Sequence, residues 1–269
     1  MRVSRLSGPF GVEVAGFCID KNSASSDISE LKSLLYEHAV ICIRDQNIES
    51  HELAAFGSLF GEAIKHNEEN LRLDGLETVM SLSNADNRDE RQLNGGAHWH
   101  TDLVHSEEPA SFTMLHAVAV PVTGGGTLFA NQIMAFDNLD HEFLEEIRDL
   151  RIIHCYEGRT DGSYPEIIHK LIRSHPVSGK QAIYGAADTG IGIVDMNRDE
   201  ALALYIKIGK YATQKQFVYR HQYQLNDIVI WDNAQLLHSA EVLERAVSEE
   251  DRRIMHRVSV RGWDKPLLS

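Results

Sequence analysis

Apolar positions along this chain follow two rhythms, and together they predict a mainly β protein with a few flanking helices. Ile28, Leu31, Leu34 and Leu35 recur three and four residues apart, which is one face of an α-helix, so an amphipathic helix is predicted to about His38 with Asp27 as its N-cap. Leu53, Phe56, Leu59 and Phe60 repeat the pattern and predict a second helix over residues 50–60, stopped by Gly61. Between them, Val40-Ile41-Cys42-Ile43 is too short for a helix and rich in β-branched residues, so it reads as a buried strand.

Short apolar runs dominate the rest. Residues 1–20 alternate loosely around Gly8-Pro9-Phe10-Gly11 and predict a strand pair with a turn. Residues 113–120, 127–131, 216–223, 227–231 and 253–261 read as further strands, and residues 140–150 and 199–213 as helices. Gly124-Gly125-Gly126 joins two of the strands; no Lys follows it and no helical pattern opens there, so it is not a phosphate loop. Residues 67–97 are polar and aperiodic and read as a long loop, a lid over a site in one reading and a passive surface loop in the other. Residues 151–192 are irregular, with β-like pieces at Ile152-Ile153 and Ala182-Ile183-Tyr184. Many short strands with few helices suggest a β-sandwich or barrel in one domain, residues 1–269, with no internal repeat.

Composition narrows the function classes. Hydrophobic residues make up 43% and charged residues 25%, ordinary for a globular chain, but the formal net charge is −14. That acidity argues against nucleic acid and against an anionic membrane surface as partners. Cys18, Cys42 and Cys155 are odd in number and widely spread, which predicts free thiols in a reducing compartment. With no apolar leader at the N-terminus, a cytoplasmic location is expected.

The candidate chemistry centres on His98-Trp99-His100-Thr101-Asp102. On a strand, His100 and Asp102 would point to one side, so an imidazole and a carboxylate would converge as a two-ligand metal bite. His238, soon after a strand-like run, is the best third ligand, and two His with one carboxylate form the facial triad of non-haem Fe(II) oxygenases. Among 14 His, an isolated His-x-Asp pair is more often a solvated surface pair. His98 shares the face of His100 and reads as a neighbour of the ligands, and Trp231 as packing beneath them, with Asp232 or Asn233 orienting His238.

The order and spacing of His100-Thr101-Asp102, Gly124 to Phe129, Trp231-Asp232-Asn233 with His238, and Arg252-Arg253-Ile254-Met255-His256-Arg257 resemble the taurine and dichlorophenoxyacetate dioxygenase family. Arg44-Asp45-Gln46 and Phe60-Gly61-Glu62 extend the likeness over nearly the whole chain. The resemblance implies a jelly-roll, or double-stranded β-helix, with 151–192 inserted between the barrel halves. It also implies an Fe(II)- and 2-oxoglutarate-dependent dioxygenase that uses O2, hydroxylates a C–H bond and releases succinate and carbon dioxide. His100, Asp102 and His238 match the metal ligands. Arg257, 19 residues past His238, matches the arginine for the far carboxylate of 2-oxoglutarate, which Thr127 shares. Arg253, four residues earlier on the same strand face, matches an arginine for an anionic group of the substrate, and His66 a substrate-binding histidine. His105 departs from the family pattern and is expected to line the substrate entrance.

The expected partner is a small molecule, anionic or an amino acid, and family members often assemble as homodimers or homotetramers. Desaturation or ring closure would use the same iron ligands, whereas halogenation would need the position that Asp102 fills. A reading from another class is a metal-binding jelly-roll protein that oxidises nothing; it gives Arg257 and Thr127 no role.

Overall fold

The structure, a computed structural model, describes residues 1–19, 25–85, 93–186 and 190–264. Its main sheet has nine strands. Eight run in the spatial order Arg2–Arg5, Val12–Ala15, Val40–Ile43, Ile228–Asp232, Phe112–Ala119, Ile254–Arg261, Leu76–Ser83 and Arg72–Leu73, and Glu62–Ala63 pairs beside Ile254–Arg261. Every pairing is antiparallel except that of Val12–Ala15 with Val40–Ile43. A three-stranded sheet, Val218–His221, Thr127–Asn131 and Leu236–Ala240, forms the other wall of the barrel.

Alternation along the main strands explains why their sequences look apolar throughout. Ile41, Ile43, Phe112, Met114, Ile228, Ile230, Val258 and Val260 pack with Leu31, Leu35, Leu53, Phe56 and Phe60, which belong to or directly follow the helices Ser25–His38 and Ser50–Ser58. Their strand neighbours Val40, Cys42, Leu115, Ala117, Val229, Trp231 and Met255 pack with Phe129, Tyr219 and Leu236 of the smaller sheet. A sheet covered on both faces has no solvent side, so period-two contrast vanishes from its central strands. The strands that flank the metal motif are thus anchored on one side by helices and face the barrel interior on the other.

Residues 151–193 build two small sheets, Ile167–Lys170 with Arg151–His154 and Gly190–Ile193, and Ile172–Ser174 with Gln181–Ile183. They share a separate apolar cluster with the helices His141–Ile147 and Arg198–Ala212, joined to the barrel through Ala130 and Leu237. Asp140 caps the first of these helices, its carboxylate accepting from Phe143 N, and Asn197 caps the second.

Three expectations need correction. Residues 67–97 are not one loop, because Leu76–Ser83 is an eight-residue strand paired with Ile254–Arg261. Its apolar Leu76, Val79, Met80 and Leu82 stand among Glu77, Thr78, Ser81 and Ser83, which hid the strand; residues 86–92, the centre of the supposed lid, lie outside the described residues. Asp27 lies within the first turn of Ser25–His38 rather than capping it. Gly61 does not close the helix Ser50–Ser58 as a left-handed cap. It is instead a point of close approach, since a Cβ there would stand 2.1 Å from the backbone oxygen of Arg261. Gly61→Ala is therefore expected to cost about 1–3 kcal/mol by overpacking, read as a lower urea midpoint with an unchanged slope.

Candidate active site

His100 and His238 are joined through their backbones. His100 N donates to His238 O at 2.9 Å and His238 N donates to His100 O at 2.8 Å, an isolated bridge that extends the Leu236–Ala240 edge of the smaller sheet. Past His100 the chain turns, and Leu103 takes a positive φ of 57°. Asp102 is therefore delivered by a turn rather than by the regular strand expected from the His-x-Asp spacing. Its carboxylate nevertheless meets both imidazoles, with His238 Nε2 3.6 Å from Oδ2 and His100 Nε2 3.8 Å from Oδ1.

The three donor atoms lie within 4.8 Å of one another. His100 Nδ1 is hydrogen-bonded at 2.8 Å to the carbonyl oxygen of His98, which makes Nδ1 the protonated nitrogen and leaves the Nε2 lone pair facing inward. Burial lowers the pKa of both imidazoles, so they are neutral donors near pH 7. Burial alone would push the Asp102 carboxyl up, but the Arg257 guanidinium, helped by the Thr113 hydroxyl, outweighs it and holds the group anionic. Two neutral nitrogens and one anionic oxygen, converging on a buried point, fit a first-row divalent metal with open positions.

Asp102 is held by more than the sequence suggested. Thr113, on the strand Phe112–Ala119, donates to Oδ2 at 2.6 Å; Asn233 Nδ2 donates to Thr113 Oγ1, and the Asp102 amide reaches Asn233 Oδ1 at 3.4 Å. Asn233 thus steadies Asp102 rather than His238. Asp232 faces elsewhere, bonded to His175 Nε2 at 2.7 Å. Trp231 packs as expected, its ring 4.7 Å from that of His238. The ring of His98 lies 4.8 Å from that of His100, while His105 stacks edge-on against Tyr156.

The two arginines line the same cavity as His100, His238 and Thr127, together with Leu82, Leu115, Trp231 and Leu243. Their surroundings differ. Arg257 Nη2 donates to Asp102 Oδ1 at 2.5 Å, and its charge bears on His66, whose pKa burial and Arg257 together lower to about 3. Arg253 is buried with other partners: Nε donates to the oxygen of Gly125 at 2.8 Å, and the guanidinium lies 5.7 Å from the ring centre of Tyr223. Tyr223 Oη in turn is 3.0 Å from Thr127 Oγ1. Thr127 therefore shares its neighbourhood with Arg253 and Tyr223, whereas Arg257 keeps company with Asp102 and His66, the reverse of the pairing expected from the sequence.

Tyr223 and Thr113 went unnoticed in the sequence. A signal for Tyr223 was present, because Tyr219, His221 and Tyr223 alternate with polar residues and are all buried. None existed for Thr113, whose role depends on strands brought together from across the chain.

A family model described as taurine catabolism dioxygenase TauD, TfdA family matches residues 2–259. A 2,4-dichlorophenoxyacetate dioxygenase of Cupriavidus pinatubonensis, dependent on alpha-ketoglutarate (2-oxoglutarate), is 28% identical over 85% of this chain and 88% of its own. An alpha-ketoglutarate-dependent sulfate ester dioxygenase of Pseudomonas putida is 23% identical over 88% of this chain and 83% of its own. Among solved structures, AAD-2 in complex with Mn(II) and N-oxalylglycine superposes with a TM-score of 0.86 at 27% identity, covering 99% of both chains.

Proposed function

The chain belongs to the TauD/TfdA family of 2-oxoglutarate-dependent dioxygenases, and from that premise we propose how its own residues divide the work and what kind of substrate they accept. The enzyme uses Fe(II), 2-oxoglutarate and O2 on a small organic molecule. We assign the metal to His100, Asp102 and His238; the convergence of their donor atoms within 4.8 Å is the observation that carries this. We assign the far carboxylate of 2-oxoglutarate to Arg253 and Thr127, with Tyr223 as a third donor, and the substrate to Arg257 and His66.

The metal centre, once loaded, supplies the oxidising power for C–H hydroxylation while 2-oxoglutarate is converted to succinate and carbon dioxide. The protein's contribution is orientation. A buried guanidinium with a fixed fork holds a carboxylate in one direction, and Arg253 is enclosed so that its charge is little screened. Arg257 Nε and His66 Nε2 are buried with no hydrogen-bond partner among the described residues. Arg257 lines the cavity and His66 lies near enough to feel its charge, a pair that favours an anionic acceptor, and a sulfonate, sulfate ester or aryloxy carboxylate has the required oxygens. Leu82, Leu93, Leu115 and Leu243 line the same cavity and suit an apolar body on that anion.

Anaerobic addition of Fe(II) and then 2-oxoglutarate to the metal-free protein is expected to give a weak visible charge-transfer band. Succinate release should then rise with one of a panel of alkylsulfonates, sulfate esters and aryloxyacetates. A band unaltered by His100→Ala would overturn the metal assignment, and turnover confined to cationic or neutral compounds would overturn the substrate class. Thr113→Val tests the support behind Asp102. Losing a hydrogen bond to a metal-binding carboxylate is expected to lower Fe(II) affinity about tenfold in the same titration, and stranding the buried Asn233 Nδ2 to cost about 1–3 kcal/mol of stability, read separately from the urea midpoint.

A further inference from the structure

Tyr223, whose hydroxyl meets Thr127, has its ring 4.7 Å from that of His221, and His221 belongs to a second cluster of metal-ligating side chains. We infer that Cys42, His221 and Asp227 form a binding site for one zinc-like divalent cation, separate from the iron triad. Their donor atoms lie within 4.8 Å of one another, and all three residues are buried, at 0%, 1% and 0% exposure.

Two of the donors are unsatisfied without such a ligand. His221 Nε2 and Asp227 Oδ1 are enclosed and have no hydrogen-bond partner among the described residues, an arrangement that costs free energy unless something fills it. His221 Nε2 is 3.6 Å from Asp227 Oδ2, beyond hydrogen-bond distance, and that oxygen is already occupied by other donors. His221 Nδ1 is hydrogen-bonded to Tyr219 Oη at 2.8 Å, which fixes the ring and, with Nδ1 protonated, presents the Nε2 lone pair. Arg44 Nη1 at 2.6 Å and the Gln224 amide at 2.7 Å both take the other oxygen of Asp227, Oδ2.

The charge balance points the same way despite the nearby arginine. Arg44 is also bonded to Glu13 at 2.8 Å, so one guanidinium faces two carboxylates and the cluster carries one excess negative charge. Burial pushes the Cys42 thiol up and the His221 imidazole down, so both are neutral in the metal-free state. On binding, the Cys42 S–H bond breaks, its proton leaves to solvent, and a sulfur–metal bond forms. A divalent cation with a thiolate then brings the cluster to neutrality. Sulfur, nitrogen and oxygen donors together suit zinc rather than magnesium or calcium. His221 ends a strand of the smaller sheet, while Cys42 lies in the main sheet and Asp227 immediately precedes its strand Ile228–Asp232. The cation would therefore clamp the two walls of the barrel next to the co-substrate pocket.

Cobalt(II) is a spectroscopic stand-in for zinc. In a His100→Ala/His238→Ala protein, which silences the triad, cobalt titration is expected to give one ion per chain and a sulfur-to-cobalt charge-transfer band in the near ultraviolet, reversed by zinc. Adding Cys42→Ser, which nearly preserves volume, should abolish the band. Zinc at about a hundred-fold excess over its Kd should also raise the Tm of the triad-silenced protein by about 5–10 °C, and His221→Ala should remove that rise. Absence of the band, a band that survives Cys42→Ser, or a Tm indifferent to zinc would each overturn the inference. Because the triad is disabled throughout, none of these results depends on the iron assignment.

Discussion

Asp102→Ala is expected to abolish turnover and to weaken Fe(II) binding by more than about 100-fold. Removing a partner that merely supports a metal ligand typically costs about 10–100-fold in affinity, and Asp102 is a proposed ligand and the only anion of its trio. The substitution would leave two neutral imidazoles, which hold a divalent cation less firmly than a set containing a carboxylate. It would also strand Arg257, whose guanidinium bonds Oδ1, and Thr113, whose hydroxyl bonds Oδ2. Anaerobic iron titration and succinate release measure both effects, and Asp102→Asn keeps the shape while removing the charge. An alanine variant that bound iron within about threefold of the parent would remove Asp102 from the metal site.

The second large effect separates the two arginines. Arg253→Ala is expected to raise the 2-oxoglutarate concentration needed for half-saturation by at least about 30-fold, because truncating one partner of a buried charged pair costs about 2–5 kcal/mol. Arg257→Ala should leave that concentration nearly unchanged and raise the substrate KM instead. Arg253→Lys should recover little, since an ammonium cannot match the planar fork or keep the Nε bond to Gly125. The charge-transfer titration reads co-substrate binding directly, so the division of roles is visible before any substrate is known. If Arg257→Ala proved to be the variant that loses 2-oxoglutarate, the allocation of the two arginines would have to be exchanged.

That allocation also marks where sequence reading stops. Arg253 and Arg257 stand four apart and, as strand alternation predicts, line one cavity. Spacing says nothing of depth, and the contacts that distinguish them, Gly125 and Tyr223 for one and Asp102 for the other, come from distant parts of the chain. The residues proposed as ligands were legible as candidates by residue type and order, although the turn after His100 was not. Strands buried on both faces announced themselves as apolar runs, as in Val40–Ile43 and Ile228–Asp232. Leu76–Ser83 did not, because its apolar residues are interleaved with polar ones in no strict alternation. Thr113 is an ordinary strand residue until Asp102 and Asn233 are folded against it.

The reciprocal amide bonds between His100 and His238 also govern how the site can come apart. Neither imidazole rides on an independent loop: each backbone is the other's hydrogen-bond partner, at 2.9 and 2.8 Å. A fluctuation that breaks this bridge exposes both amides at once, so the two backbone positions open as a unit. In hydrogen–deuterium exchange the amides of residues 100 and 238 should therefore slow and quicken together, a paired clock that reports the integrity of the centre even when no reaction is running.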